Sequence, residues 1–250
     1  MFISGNTILI TGGASGIGEA LAQALHQRDN RVIIAGRRAD ALAATAKRNP
    51  GMEWVTLDVD DAEAVTAFAR DVVKRFPALN VLINNAGIMK PETLRAQPDG
   101  LADMEAMIRT NLLGPLRLTA ALLPSLLQQK RAAVVNVTSG LAFVPLAVTP
   151  TYSATKAALH SYTQSLRAQL KGTPVQVIEI APPAVQTDLM PGQATSAHAM
   201  PLADYTAEVI GLLEKDPDAD EILVERVKGL RFAEATGKHA DMFAMLNGPR

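Results

Sequence analysis

The chain has 250 residues, 24 basic and 25 acidic, with no cysteine. At about 100–200 residues per domain this suits one large domain or two small ones, and 48% hydrophobic residues against 20% charged favours a packed core over disorder. A net charge of −1 gives no electrostatic footing for nucleic acid or a membrane surface, and the missing cysteine excludes disulfides, thiolate metal sites and a cysteine nucleophile.

Strand and helix patterns alternate from the start. Thr7–Thr11 is a short apolar run ending in Gly12-Gly13, and helical spacing follows over Gly16–His26. A second strand is expected at Arg31–Ala35, then an alanine-rich helix to Lys47, a third strand at Trp54–Leu57 and a helix over Asp61–Phe76. Val81–Ile83 is the fourth strand, Leu101–Gln128 one long helix, and Ala132–Val137 the fifth strand. A helix over Thr151–Leu170, a strand at Val175–Ile180, a last strand near Ile222–Val224 and a charged helical tail complete the order. Strands nearly continuous in Val, Ile and Leu suit a parallel sheet covered on both faces, and regular alternation implies a doubly wound α/β domain. No linker divides residues 1–250. Asp188–Ala203, rich in Met, Pro, Gly, Ser and Ala, reads as a long mobile loop of the kind that forms lids.

Between the first strand and first helix lies Thr11-Gly12-Gly13-Ala14-Ser15-Gly16-Ile17-Gly18. Glycines here permit close approach to a pyrophosphate, and the helix N-terminus offers free N–H groups. A P-loop is excluded, because Gly18 is followed by Glu19-Ala20 instead of Lys-Ser/Thr. After the second strand, where NAD sites usually place an acid, stand Gly36-Arg37-Arg38. Arg37 is the expected contact for a 2′-phosphate, with Arg38 open, so NADP(H) is favoured over NAD(H).

Tyr152 and Lys156, at i and i+4, share one helical face. A nearby ammonium favours the phenolate and equips tyrosine for acid–base work. Ser139 ends the fifth strand, on the side where α/β sheets bind ligands, and can hold a carbonyl oxygen. Strand alternation sends the neighbouring Thr138 to the opposite face.

These motifs, taken in order, resemble the short-chain dehydrogenase/reductase family along essentially the whole chain: Thr11–Gly18, Asp58, Asn84-Asn85-Ala86-Gly87, Asn111, Ser139, Tyr152/Lys156 and Pro182…Thr187. Within it the chain is similar to bacterial reductases associated with D-alanylation of teichoic acid. The resemblance implies a single Rossmann-type domain with a seven-stranded parallel sheet flanked by helices. It also implies a catalytic tetrad of Asn111, Ser139, Tyr152 and Lys156. Implied cofactor contacts are Gly12, Ser15, Gly16, Ile17, Gly18, Arg37, Asp58, Val59, Asn85, Ala86, Gly87, Tyr152, Lys156, Pro182, Val185 and Thr187. Asp58 has an equal rival role as the N-cap of the following helix. Pro115 follows Asn111 by four residues and deprives its carbonyl of the usual donor, which suits the relay role implied for Asn111. Pro183 stands where the family usually has Gly.

The expected reaction is hydride transfer between NADP(H) and a small carbonyl or alcohol, with Tyr152 as general acid/base and Ser139, Leu141, Phe143 and Tyr152 at the substrate. Apolar residues after Ser139, with Met89, Met190 and Met200, point to a hydrophobic ketone or aldehyde. The four histidines show no metal-ligand spacing, and His160 reads as structural. The rival readings are an NADP(H)-binding sensor or scaffold without turnover, and an epimerase or dehydratase, which usually needs a larger substrate domain. The resemblance implies a homodimer or homotetramer built on the long helix and the Thr151–Leu170 helix, with Glu234–Arg250 covering the sheet edge or a second interface. The first basic residue is Arg28 and no apolar run approaches the ~20 residues of a membrane span, so a cytoplasmic protein without a membrane partner is expected.

Overall fold

A computed structural model describes residues 1–95 and 101–248; the last two residues of the expected tail lie outside this range. Seven strands, β1 (Thr7–Thr11), β2 (Arg31–Gly36), β3 (Glu53–Thr56), β4 (Leu79–Asn84), β5 (Ala132–Val137), β6 (Val175–Ile180) and β7 (Glu221–Ile222), form one sheet in the order β3-β2-β1-β4-β5-β6-β7. Every pairing is parallel. The order reverses between β1 and β4, which opens a crevice beyond their carboxyl ends, the usual ligand position in such sheets.

Period-two alternation sorts the strand side chains into two cores. Ile8, Ile10, Val32 and Ile34 enter one, which includes Leu21 and Leu25 of α1 (Gly16–His26) and Leu42 of α2 (Ala39–Arg48). Leu9, Ile33 and Ala35 enter the other, with Phe68 and Val72 of α3 (Ala62–Arg75). Leu118 and Leu122 of α5 (Gly114–Leu126) and Leu166 of α6 (Pro150–Gln169) complete that second layer. A fully buried hydrogen-bond chain ties it to the sheet. Asn84 donates to Thr119 Oγ1 (3.0 Å) and Asn136 Oδ1 (2.8 Å), and Asn136 donates to Thr163 Oγ1 (2.9 Å). With every member paired, these polar groups fix α5 and α6 against β4 and β5 without a desolvation penalty for orphaned groups.

Three expectations about the elements change. The long helix is α4 (Leu101–Ile108), a π turn over Arg109–Leu113, and α5. Gly114 donates to the Arg109 carbonyl five residues back, so the chain rewinds ahead of Pro115 instead of simply losing one bond. The loop expected to be mobile is tied down: Val185 bridges to Met200, Gln186 N–H donates to the Met200 carbonyl, and Ala199 is buried. A helix absent from the expected elements, α7 (Leu202–Lys215), packs on α1 through Tyr205, Val209, Ile210 and Leu213. The tail forms α8 (Lys228–Arg231) and α9 (His239–Asn247).

Tyr205 is fully buried, and its hydroxyl meets no hydrogen-bond partner among the described residues. An unpaired buried hydroxyl carries its full desolvation cost. Tyr205→Phe is therefore expected to stabilise the fold by about 1 kcal/mol, seen as a higher urea midpoint at constant slope. A lower midpoint would mean that the hydroxyl has a bridging partner.

Candidate active site

A cleft of about 770 Å³ lies across the β1/β4 crevice. One wall is the glycine turn. Gly12 has φ +68, and an added Cβ at Gly18 would stand 2.3 Å from both the Gly12 oxygen and Asn85 Nδ2, so only glycine allows the turn to pack against the end of β4. Thr11 holds the same junction, its hydroxyl accepting from the N–H groups of Asn85 (3.0 Å) and Ala86 (3.1 Å). Ser15 is the N-cap residue of α1, yet its side chain makes no cap bond. The first-turn N–H groups at Gly16, Ile17 and Gly18 are thus left for an anion in the cleft.

The other wall holds the candidate catalytic side chains. Ser139, Tyr152 and Lys156 line the cleft and are 7%, 6% and 4% exposed. Ser139 follows β5, and its Oγ accepts from the Leu141 N–H (3.1 Å). Lys156 Nζ lies 5.6 Å from the Tyr152 ring centre and donates to the Val137 carbonyl at 2.8 Å. Burial pushes the tyrosine up to about 12 against the opposing influence of the nearby Ser139 hydroxyl, and burial brings the lysine down to about 8. Burial is the dominant influence on the phenol in this structure. A wholly desolvated phenol is costly to ionise, and the ammonium stands 5.6 Å from the ring centre.

Asn111 is fully buried in the π turn. Its Oδ1 accepts from the Ile88 N–H (2.9 Å), and its Nδ2 donates to the Ile88 carbonyl (2.8 Å) and Thr155 Oγ1 (3.3 Å). The side chain thus joins the segment after β4 to α6. An ideal Cβ at Gly87 would be 3.4 Å from Asn111 Oδ1 and 3.7 Å from Lys156 Nζ, so the glycine keeps the space between those two groups open.

The remaining expected residues divide. Arg37, Val59, Asn85, Ala86, Gly87, Pro182, Val185 and Thr187 line the cleft with the glycine turn, as does Pro183. Asp58 is exposed and is not a lining residue; its carboxylate accepts from the Asp60 N–H, while the N-cap of α3 is Asp61. Leu141 packs against the cluster of Met89, Met107 and Tyr152. Phe143, expected at the substrate, is not a lining residue either. Its ring meets His160 edge-on at 4.8 Å and lies beneath Arg231.

His160 belongs to a charged cluster behind the site. Its Nδ1 is 2.7 Å from Glu179 Oε2, and the other Glu179 oxygen accepts from Thr138 at 2.6 Å. Arg231 forks onto both oxygens of Glu221 at 2.9 Å. Of the three possible metal ligands here, His160, Glu179 and Glu221, the two carboxylates have all four oxygens in contact with His160, Thr138 or Arg231. Thr138 points to Glu179, on the face opposite Ser139, as alternation requires.

Two further residues emerge from the geometry alone. Arg38 Nη2 donates to Ser15 Oγ at 3.0 Å, bridging the end of β2 to the glycine turn. Gln193 donates to the Val185 carbonyl (2.7 Å), fixing the segment that carries Thr187. The sequence pointed to Arg37 for a phosphate and left Arg38 open; Gln193 had no sequence signal.

A family model for short chain dehydrogenase matches residues 6–197. The chain belongs to the short-chain dehydrogenase family. An oxidoreductase of Bacillus subtilis named DltE, itself uncharacterized, is 42% identical over 237 residues, 93% of both chains. A Staphylococcus saprophyticus oxidoreductase, also uncharacterized, is 34% identical over 72% of this chain and 79% of its own. Among solved structures, a short-chain dehydrogenase of Burkholderia cenocepacia in complex with NADP superposes over the whole of both chains with a TM-score of 0.84 at 27% identity. An alcohol dehydrogenase of Thermococcus sibiricus with 5-hydroxy-NADP covers 88% of this chain and 95% of its own, with a TM-score of 0.77 at 28% identity. This short-chain dehydrogenase is an oxidoreductase with a Rossmann-type fold, and none of its described helices is long and apolar enough to cross a membrane.

Proposed function

We propose that this short-chain dehydrogenase reduces an apolar ketone or aldehyde with NADPH. The observation that carries the reading is the Ser139–Tyr152–Lys156 cluster, which shares one cleft with an uncapped helix N-terminus and two arginines. The residues fit a dinucleotide: N–H groups of the first turn of α1 would hold the pyrophosphate, and Thr187 the nicotinamide side. When bound, the cofactor supplies a hydride to the carbonyl carbon.

The chain's own residues do the rest. The Ser139 hydroxyl holds the carbonyl oxygen, and Tyr152 gives that oxygen its proton. A phenol raised to about 12 remains protonated at neutral pH, which suits reduction, where an acid is needed. Lys156 and Asn111 face each other across Gly87 and form the route by which the proton on Tyr152 is replaced. Met89, Met107, Leu146, Leu189 and Met190 surround the tyrosine and favour an apolar, adaptable fit. The exposed sides of α5 and α6 are the proposed contacts of a dimer, to be checked by sedimentation.

Incubating the protein with NADPH and a panel of aliphatic and aromatic carbonyls, read at 340 nm, tests the assignment. Tight NADPH binding without oxidation by any of them would favour a sensor or scaffold. For the 2′-phosphate we propose Arg38 above Arg37, because its contact with Ser15 holds the guanidinium at the phosphate turn. Arg38→Ala is expected to raise the calorimetric Kd for NADPH about tenfold to a hundredfold, the worth of a charge-assisted contact, with NADH affinity unchanged. An equal loss for both cofactors would contradict a phosphate-specific role.

A further inference from the structure

We propose that Glu92 caps the catalytic helix from outside and is a positioning residue for Tyr152, a role that rests on the reductase reading above. α6 begins without its own cap: the side chain of Thr149 at the N-cap position makes no cap bond, and Pro150 occupies the first turn. Proline brings no N–H, so the first orphan donor of the helix is Thr151. Glu92 meets it twice, accepting from the Thr151 N–H at 2.9 Å and from its hydroxyl at 2.8 Å. The Glu92 backbone N–H donates to the Val148 carbonyl at 2.8 Å.

This carboxylate is only 9% exposed, and its cationic counterpart is the helix terminus itself. Anions are favoured there by the aligned peptide dipoles and the free N–H groups. The residue so anchored immediately precedes Tyr152. Glu92 also ends the segment that carries Ile88, which Asn111 clamps, and Met89, which packs with Tyr152. Lys90 and Pro91, between them, line the cleft. The wall of the cleft and the start of the catalytic helix are therefore one hydrogen-bonded piece, joined at Glu92.

Hydrogen–deuterium exchange on the full chain, with no substrate present, reads the cap directly. Glu92→Ala should speed exchange in the first turn of α6 about fivefold to thirtyfold, as expected when an N-cap is lost. With the best carbonyl of the panel, its kcat should fall at least about tenfold, since small misplacements of a reacting group are costly, while KM for NADPH stays constant. Glu92→Gln covers the case in which alanine does not fold. Its amide can accept from the Thr151 N–H and donate to the hydroxyl, so both readouts should fall between wild type and Glu92→Ala. Wild-type exchange rates in both variants would overturn the cap, and unchanged kcat despite faster exchange would overturn the positioning role. Wild-type protein that reduces no carbonyl defeats the reductase reading separately, because the exchange measurement still decides the cap.

Discussion

Replacing Tyr152 by phenylalanine is expected to lower kcat for carbonyl reduction about 10²–10⁴-fold, the usual contribution of a positioned acid, and to leave NADPH affinity within about threefold. The ring is 6% exposed and packs with Met89 and Met107, so phenylalanine keeps the volume and deletes only the hydroxyl. That hydroxyl is the proposed proton donor, and the nearby Ser139 keeps its bond from the Leu141 N–H. Single-turnover absorbance at 340 nm separates the chemical step from binding. The pH dependence has a definite sign. Burial raises the tyrosine to about 12, so its acid form persists through neutrality: the tyrosine gives reduction no limb between about pH 6 and pH 9, and a fall above pH 8 belongs to Lys156, which burial holds near 8. Alcohol oxidation, which needs the phenolate, should climb over that interval. A tyrosine limb near neutrality would mean that Lys156 and the bound ligands outweigh burial.

Lys156→Met should have two opposed effects, a loss of turnover comparable to that of Tyr152→Phe and a gain in stability. The ammonium is 4% exposed and burial holds it near 8, against 10.5 for an ordinary lysine. A native pKa below the unfolded one costs stability wherever both states are protonated, here about 3 kcal/mol. Methionine removes that cost but leaves the Val137 carbonyl without its donor, a loss of about 1 kcal/mol. A net gain of about 2 kcal/mol is expected below pH 8. It should fade as the pH rises from 8 toward 10.5, because the wild-type protein then sheds its buried charge and recovers. Thermal melts of both proteins across that range check it. A variant less stable than wild type at neutral pH would show that the contact with Val137 outweighs desolvation. The opposition of the two effects is what a site maintained for chemistry at the expense of stability should display.

Much of the fold was readable because the strands are unbroken runs of Val, Ile and Leu and the glycine turn has few alternative uses. Tyr152 and Lys156 were readable as candidates because an i, i+4 spacing puts them on one helical face. What failed depended on environment. Three aspartates stand in Asp58-Val59-Asp60-Asp61, and only backbone geometry selects Asp61 as the cap. Phe143 is apolar and close in sequence to Ser139, yet its backbone turn aims it at His160 and Arg231. Spacing shows the lysine but not how deeply Tyr152 is buried. α7 escaped notice because the Pro- and Gly-rich stretch before it obscured where the next apolar period begins. Glu92 carries no local signature at all, since its partner Thr151 lies 59 residues away.

The π turn at Arg109–Leu113 makes chain length itself a determinant of this site. A residue added to a helix rotates everything after it by roughly 100° relative to everything before it. On one side of the turn α5 must present Leu118, Leu122 and Leu126 to the core; within it, Asn111 must reach Ile88 and Thr155. A regular α-helix through this stretch would change the relative phase of the two. The wide turn absorbs that mismatch locally, so the segment can vary in side chains far more freely than in its count of residues.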